Sequence, residues 1–184
     1  MANNARRFSA VLVLMVGLAM VTTPVAAAGH ETEENSQVRS TSSAIRHLIA
    51  LGIEHSPTLR ALSEKINASN GIVFVEDGRC SRGVRACVIS LTAAGSKRIL
   101  WIRVDARRSA PEVLESIAHE LQHAVEVLSE STAVNRATMY MTFSRIGMRR
   151  DNGLFETAEA VRVGMAVRDE VGSLLASGPS SLKH

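Results

Sequence analysis

Aromatic residues are scarce in this 184-residue chain, which has four Phe, one Trp and one Tyr, and one of those Phe lies in the first ten residues. A surface that stacks single-stranded bases needs more rings than that. A large excess of charge of one sign is absent too, with 21 Lys+Arg against 18 Asp+Glu. Arg6 and Arg7 are the only charged side chains before residue 29, so without that stretch the formal charge falls from +3 to +1 and no strong phosphate-attracting field remains. Nucleic acid is therefore not an expected partner. No glycine-rich phosphate loop and no repeat of 20–50 residues is present. The longest apolar run, Ala10 to Val21, is about twelve residues, well short of the ~20 that a membrane-spanning helix needs.

That run, with Arg6 and Arg7 before it and Pro24 and Ala26–Ala28 after it, reads as a secretory signal peptide over residues 1–28. The mature protein is then secreted or periplasmic. With no Cys near the cut to carry a lipid, no stable membrane insertion is expected after signal removal. About 156 residues remain, enough to bury roughly 68–70% of the unfolded chain's surface as one domain. Only two Cys are present, Cys80 and Cys87. Export favours a disulfide between them, and two thiolates alone do not make a four-ligand zinc site.

Residues 29–43 carry Glu, Ser, Thr and Asn with a single Val and are expected to form a polar flexible segment. A domain over 44–176 and a polar tail over 177–184 follow. Helices are predicted from Ala44 to Leu51, ending near Gly52, and from Pro57 behind the N-cap Ser56. Apolar runs at Ile72–Val75, Cys87–Leu91 and Ile99–Val104, with a turn at Ala94–Gly95–Ser96, predict a small antiparallel sheet. Ser109–Ala110–Pro111–Glu112 is a capping box, and the apolar positions behind it recur at helical spacing to Leu128. Further helices are predicted over Ser131–Ile146 and Phe155–Leu175, making the fold class α+β.

His119–Glu120–Leu121–Gln122–His123 lies on the capped helix. At 100° per residue its two imidazoles differ by about 40° around the axis and sit one turn apart, so both can address one ion. They also lie roughly opposite the apolar stripe, where they would face a cleft. The expected cofactor is Zn²⁺, which in hydrolytic sites takes three protein ligands and a water whose pKa drops toward ~7. Glu120 is the candidate general base and His119 and His123 are two metal ligands. An accidental match to this spacing is expected in about one such chain in a hundred, so the motif is informative.

The third ligand has to come from elsewhere, because no further His follows soon after His123. Glu156, at the head of the last predicted helix, is the choice. Glu159 could replace it, and Glu126 could instead orient an imidazole. Tyr140 is a conceivable donor to a substrate carbonyl and Arg149 or Arg150 to a substrate carboxylate, but packing is the favoured reading of Tyr140 and a solvated loop the default for the arginines, so none enters the catalytic set. His30, His47, His55, His184 and Trp101 receive no role.

These residues resemble the zincin metallopeptidases, in particular the gluzincin-like arrangement of HExxH with a downstream helical Glu. The chain is also similar to short bacterial HELQH-containing proteins whose final helix opens on Phe–Glu–Thr. The resemblance runs from about Ser56 to Leu175, and its specific motif covers His119, Glu120 and His123. It implies zinc ligands at His119, His123 and Glu156, Glu120 as base, a sheet edge that aligns an extended peptide, and a peptide or protein as substrate. The chain lacks the family's Asn-Glu-x-x-x-Asp setting and a large second lobe. A secreted module that binds zinc or a partner without turnover is the alternative reading, and a metal-free helical binding protein a third.

Overall fold

The computed structural model describes residues 36–151 and 153–176. The expected signal peptide, residues 29–35 of the polar segment, the tail at 177–184, His30 and His184 lie outside the described residues. What is described is an α+β unit with five helices and a small mixed sheet.

Strand β1 (Val38–Arg39) pairs parallel with β2 (Gly71–Asp77), placing Val38 beside Val73. Residues 36–43 are thus ordered where a flexible segment was expected. Backbone pairing and polar bonds do this with little apolar burial: the Gln37 amide N–H donates to Asn67 Oδ1 at 2.8 Å, and Ser42 accepts from the Ile45 N–H at the start of α1 (Ser43–His55). That helix runs past Gly52. A Cβ there would collide with Leu59 and Leu114, so the glycine serves close packing and does not stop the helix. Ser56 ends α1 and caps α2 (Pro57–Asn67), accepting from Leu59 N–H at 3.0 Å.

The sheet order is β1-β2-β4-β3, with β3 at Ala86–Ala94 and β4 at Lys97–Val104. β3 and β4 form the expected hairpin, turned by Gly95 at φ +60°. β2 and β4 are parallel, which corrects the all-antiparallel expectation. The connection after β2, closed by the Cys80–Cys87 disulfide, carries the chain to the far edge of the sheet, and β4 returns between β2 and β3. β4 consequently buries Leu100, Ile102 and Val104 beside Val73 and Val75. On the opposite face Trp101 stacks on Phe74 at 4.5 Å, so its role is packing.

Helix α3 (Ala110–Ser129) lies over the sheet and carries much of the core, including Leu114, Ile117 and Leu121. Glu112 accepts hydrogen bonds from the Ser109 N–H and hydroxyl, which satisfies the capping box. The other end of α3 is held by Arg98, a buried guanidinium from β4. It donates to the carbonyls of Val127, Leu128, Glu130 and Ala133 and to Asn70 Oδ1. Arg98→Ala would strip the guanidinium from the Leu128 and Ala133 carbonyls in a dry environment, while Val127 and Glu130 would each keep one backbone donor, the N–H of Glu130 and of Ala133. The expected loss is about 3 kcal/mol of stability, read as a lower midpoint in urea unfolding with the slope unchanged.

Helix α4 (Arg136–Ile146) begins later than Ser131 because Asn135 caps it, its Oδ1 accepting from Thr138 N–H at 3.0 Å. Strands β5 (Met148–Arg149) and β6 (Phe155–Glu156) form a short antiparallel hairpin. The last helix, α5 (Ala158–Ala176), starts only after Thr157, whose hydroxyl accepts from Ala160 N–H. Glu156 therefore sits on a strand and not at a helix head. α5 packs closely on α3 at Gly164, where a Cβ would lie 3.3 Å from His119 Cβ. Glu170 of α5 accepts from Ser56 and Thr58, tying the last helix to the start of α2.

Among the described residues no helix is long and apolar enough to cross a membrane.

Candidate metal centre

Three elements meet at the motif. α3 supplies His119, Glu120 and His123; the β5–β6 hairpin supplies Glu156; and the edge strand β3 and helix α4 form the walls of a cleft of about 470 Å³. His119 Nε2 lies 3.2 Å from Glu156 Oε1, and His123 Nε2 lies 3.5 Å from the same oxygen. One ligand atom from each of the three side chains falls within 4.8 Å of the other two, so the group could hold a metal ion. Bonds of 2.0–2.1 Å in a tetrahedral site put neighbouring donors about 3.3 Å apart, and both distances to Glu156 match that spacing. The donor set, two imidazoles and a carboxylate, is also one that suits a divalent transition metal.

His123 is held from behind. Glu126, one turn beyond His123, meets His123 Nδ1 at 2.9 Å, which leaves Nε2 for the cleft side. Glu126 in turn accepts from Gln122 at 3.3 Å and from the Thr157 hydroxyl at 2.8 Å. Thr157 thus joins the acid behind His123 to the strand that presents Glu156 and caps α5 as well. Phe143 of α4 packs edge-on against the His123 ring, with centroids 5.1 Å apart. The expectation that the motif faces away from the core needs correction: His123 and Glu120 are each only 6% exposed, because α4 and the hairpin cover that side of α3. The group opens at a seam, and His119 is its more accessible member.

The electrostatics follow from this crowding. Burial raises the Glu120 carboxyl above its usual range, and the imidazoles of His123 and His119 and a Val88 backbone hydrogen bond only partly oppose that. Burial disfavours the charged form of His123, yet hydrogen bonds with Glu126 and Glu156 outweigh it and raise that ring to about 9. For Glu156 burial works upward, but hydrogen bonds with His119 and His123 hold it well below the ordinary carboxylate range. The carboxylate and imidazoles share charge at one point, an arrangement a cation can replace.

Other residues singled out from the sequence fall in different places. Glu159 pairs with Arg162 on the exposed side of α5 and does not line the cleft. Tyr140 lines the cleft, packing against Phe155 at 5.2 Å while 55% exposed. Arg150 lines it too, whereas Arg149 pairs with Phe155 in the hairpin. His47 and His55 are exposed and away from it. Three contributors went unforeseen: Thr157, Phe143 and the Val88 backbone. Thr157 precedes the helical apolar run of α5 and had a readable cap signal; the other two are set by tertiary packing.

Compared with protein-family models, curated proteins and solved structures, the chain has no match to any of them.

Proposed function

We propose that this protein is a zinc-dependent metallopeptidase of zincin type, acting on peptides or proteins in a secreted or periplasmic setting. The observation that carries the reading is the convergence of His119, His123 and Glu156 within 4.8 Å, beside Glu120, in a cleft of about 470 Å³. Two histidines and one carboxylate make the ligand set of hydrolytic zinc sites, which keep a fourth position free. Zinc bound there would supply Lewis acidity and a water acidified toward neutrality.

The chain's own residues account for the remaining steps. Among the described residues no other strand pairs with the outer side of edge strand β3 from Ala86 to Leu91, where Val88 bonds Glu120, so an extended peptide can add to its remaining backbone groups and bring a carbonyl over the metal group. The Glu120 carboxylate, fixed between the imidazoles and Val88, takes the proton from the attacking water on one of its oxygens. The same oxygen returns that proton to the departing amide nitrogen. Glu126 keeps His123 in one ring orientation, and Phe143 excludes solvent from its face.

Chelation tests the reading. The purified mature protein is expected to hold one zinc per chain and to cleave unfolded casein, to lose cleavage with 1,10-phenanthroline, and to regain it on adding Zn²⁺. Stoichiometric zinc without cleavage of any unfolded substrate would overturn it and leave the metal as a fastener between α3 and the hairpin.

A further inference from the structure

The cleft has a closed end. Among the described residues edge strand β3 meets no further strand as far as Leu91, but Thr92 forms an antiparallel bridge with Asn135. The next residue, Arg136, opens α4 and lines the cleft. α4 then runs back along the trough toward the metal group. Arg136, Met139, Tyr140 and Phe143 recur at helical spacing on its cleft side, and Phe143 meets His123. Seven residues at ~1.5 Å rise set Arg136 about 10 Å from Phe143. That is the length of about three residues of extended peptide at ~3.3 Å each.

The charges of the cleft point to a ligand for this end. Its acids are all engaged: Glu115 with Arg85 and Arg168, Glu156 with the two imidazoles, and Glu120 buried between them. Arg136 is exposed, and among the described residues no acidic side chain pairs with it. Residues 131–150 contain no Asp or Glu that could do so locally. Between this cation and the metal group the wall is apolar, formed by Met139, Tyr140 and Phe143.

We infer that Arg136 is a carboxylate-reading stop, so that the cleft selects peptides bearing a carboxylate about three residues from the bond held at the metal group, with apolar side chains between. The inference rests on the peptidase reading for the ligand being a peptide. A guanidinium fork recognises a carboxylate through paired hydrogen bonds, whether it is the C-terminal α-carboxylate or an Asp or Glu side chain. The first source would make the protein release short C-terminal peptides; the second would make it cut internally beside acidic segments.

Binding of fluorescein-labelled peptides to the zinc-loaded Glu120→Gln protein, followed by anisotropy at low and moderate salt, separates these cases. The series holds the sequence constant and ends in a free acid or an amide at the third position, or carries internal Glu or Gln there. At least one acid-bearing peptide is expected to bind about tenfold tighter than its neutral partner. Arg136→Gln in the same background should abolish that preference, and Arg150→Gln should leave most of it. Preference for the free acid alone or for internal Glu alone supports the inference and identifies the source. Equal binding of acid and neutral peptides would overturn it, as would equal loss in the two arginine variants, which signifies a diffuse field. If acidic peptides bind selectively but the wild-type protein never cleaves them, the peptidase reading fails and this one stands. Cleavage of acid and amide peptides at equal rates and affinities gives the reverse.

Discussion

Glu120→Gln is expected to lower peptide hydrolysis by about a thousandfold while zinc stays at one per chain. The substitution changes little besides basicity. Gln has nearly the same shape, still offers an oxygen to Val88, and sits where the carboxyl is buried and only 6% exposed. Because a desolvated carboxylate is costly to hold, the amide is expected to leave the unfolding temperature unchanged or slightly raised. A structural role for Glu120 predicts the opposite pattern, a drop in stability in step with any loss of activity. The two measurements taken together, zinc content and thermal unfolding beside kcat, therefore decide between base and scaffold. Retention of even a tenth of the wild-type kcat would rule out Glu120 as the proton acceptor.

The motif helix was legible because two independent local signals agree on it. The capping box at Ser109–Glu112 sets its start, and an apolar period fills it to its end, so the predicted and observed bounds differ by a residue. His119 and His123 follow from helical geometry once that helix is granted. The sheet was half legible. Turn chemistry at Gly95 implies the β3–β4 hairpin, but an apolar run carries no label for its neighbour, and the parallel β2–β4 pairing depends on a long crossing connection closed by a disulfide. Short strands were invisible for a related reason. β1 and β6 are two residues each, held by pairing with a partner distant in sequence or by a hairpin, and two residues have no period to read. That is why the sequence pattern puts Glu156 on a helix although its neighbour Thr157 is the cap. The misplacement leaves the side chain within reach of both histidines, since Glu156 precedes the cap by one residue, a Cα step of about 3.8 Å.

Glu156→Ala is expected to weaken zinc affinity by more than the roughly 10–100-fold that loss of an outer partner produces, and to remove hydrolysis with it. Among the described residues Glu156 is the only carboxylate paired with both Nε2 atoms, so its loss leaves two donors where three could meet. The alternatives are occupied: Glu159 is held by Arg162, and Glu126 is committed to His123 Nδ1, Gln122 and Thr157. Neither can step in without dismantling another contact. Competition titrations with a chromophoric zinc chelator read the affinity directly, and Glu159→Ala serves as the matched control, with an expected change below twofold. The variant should remain folded, because Glu156 lies on a two-residue strand at the cleft rim and α5 keeps its cap at Thr157. A zinc affinity that survives Glu156→Ala undiminished would place the third ligand elsewhere. It would also detach the β5–β6 hairpin from the chemistry, since presenting this one oxygen to the two imidazoles is what ties the hairpin to the metal group.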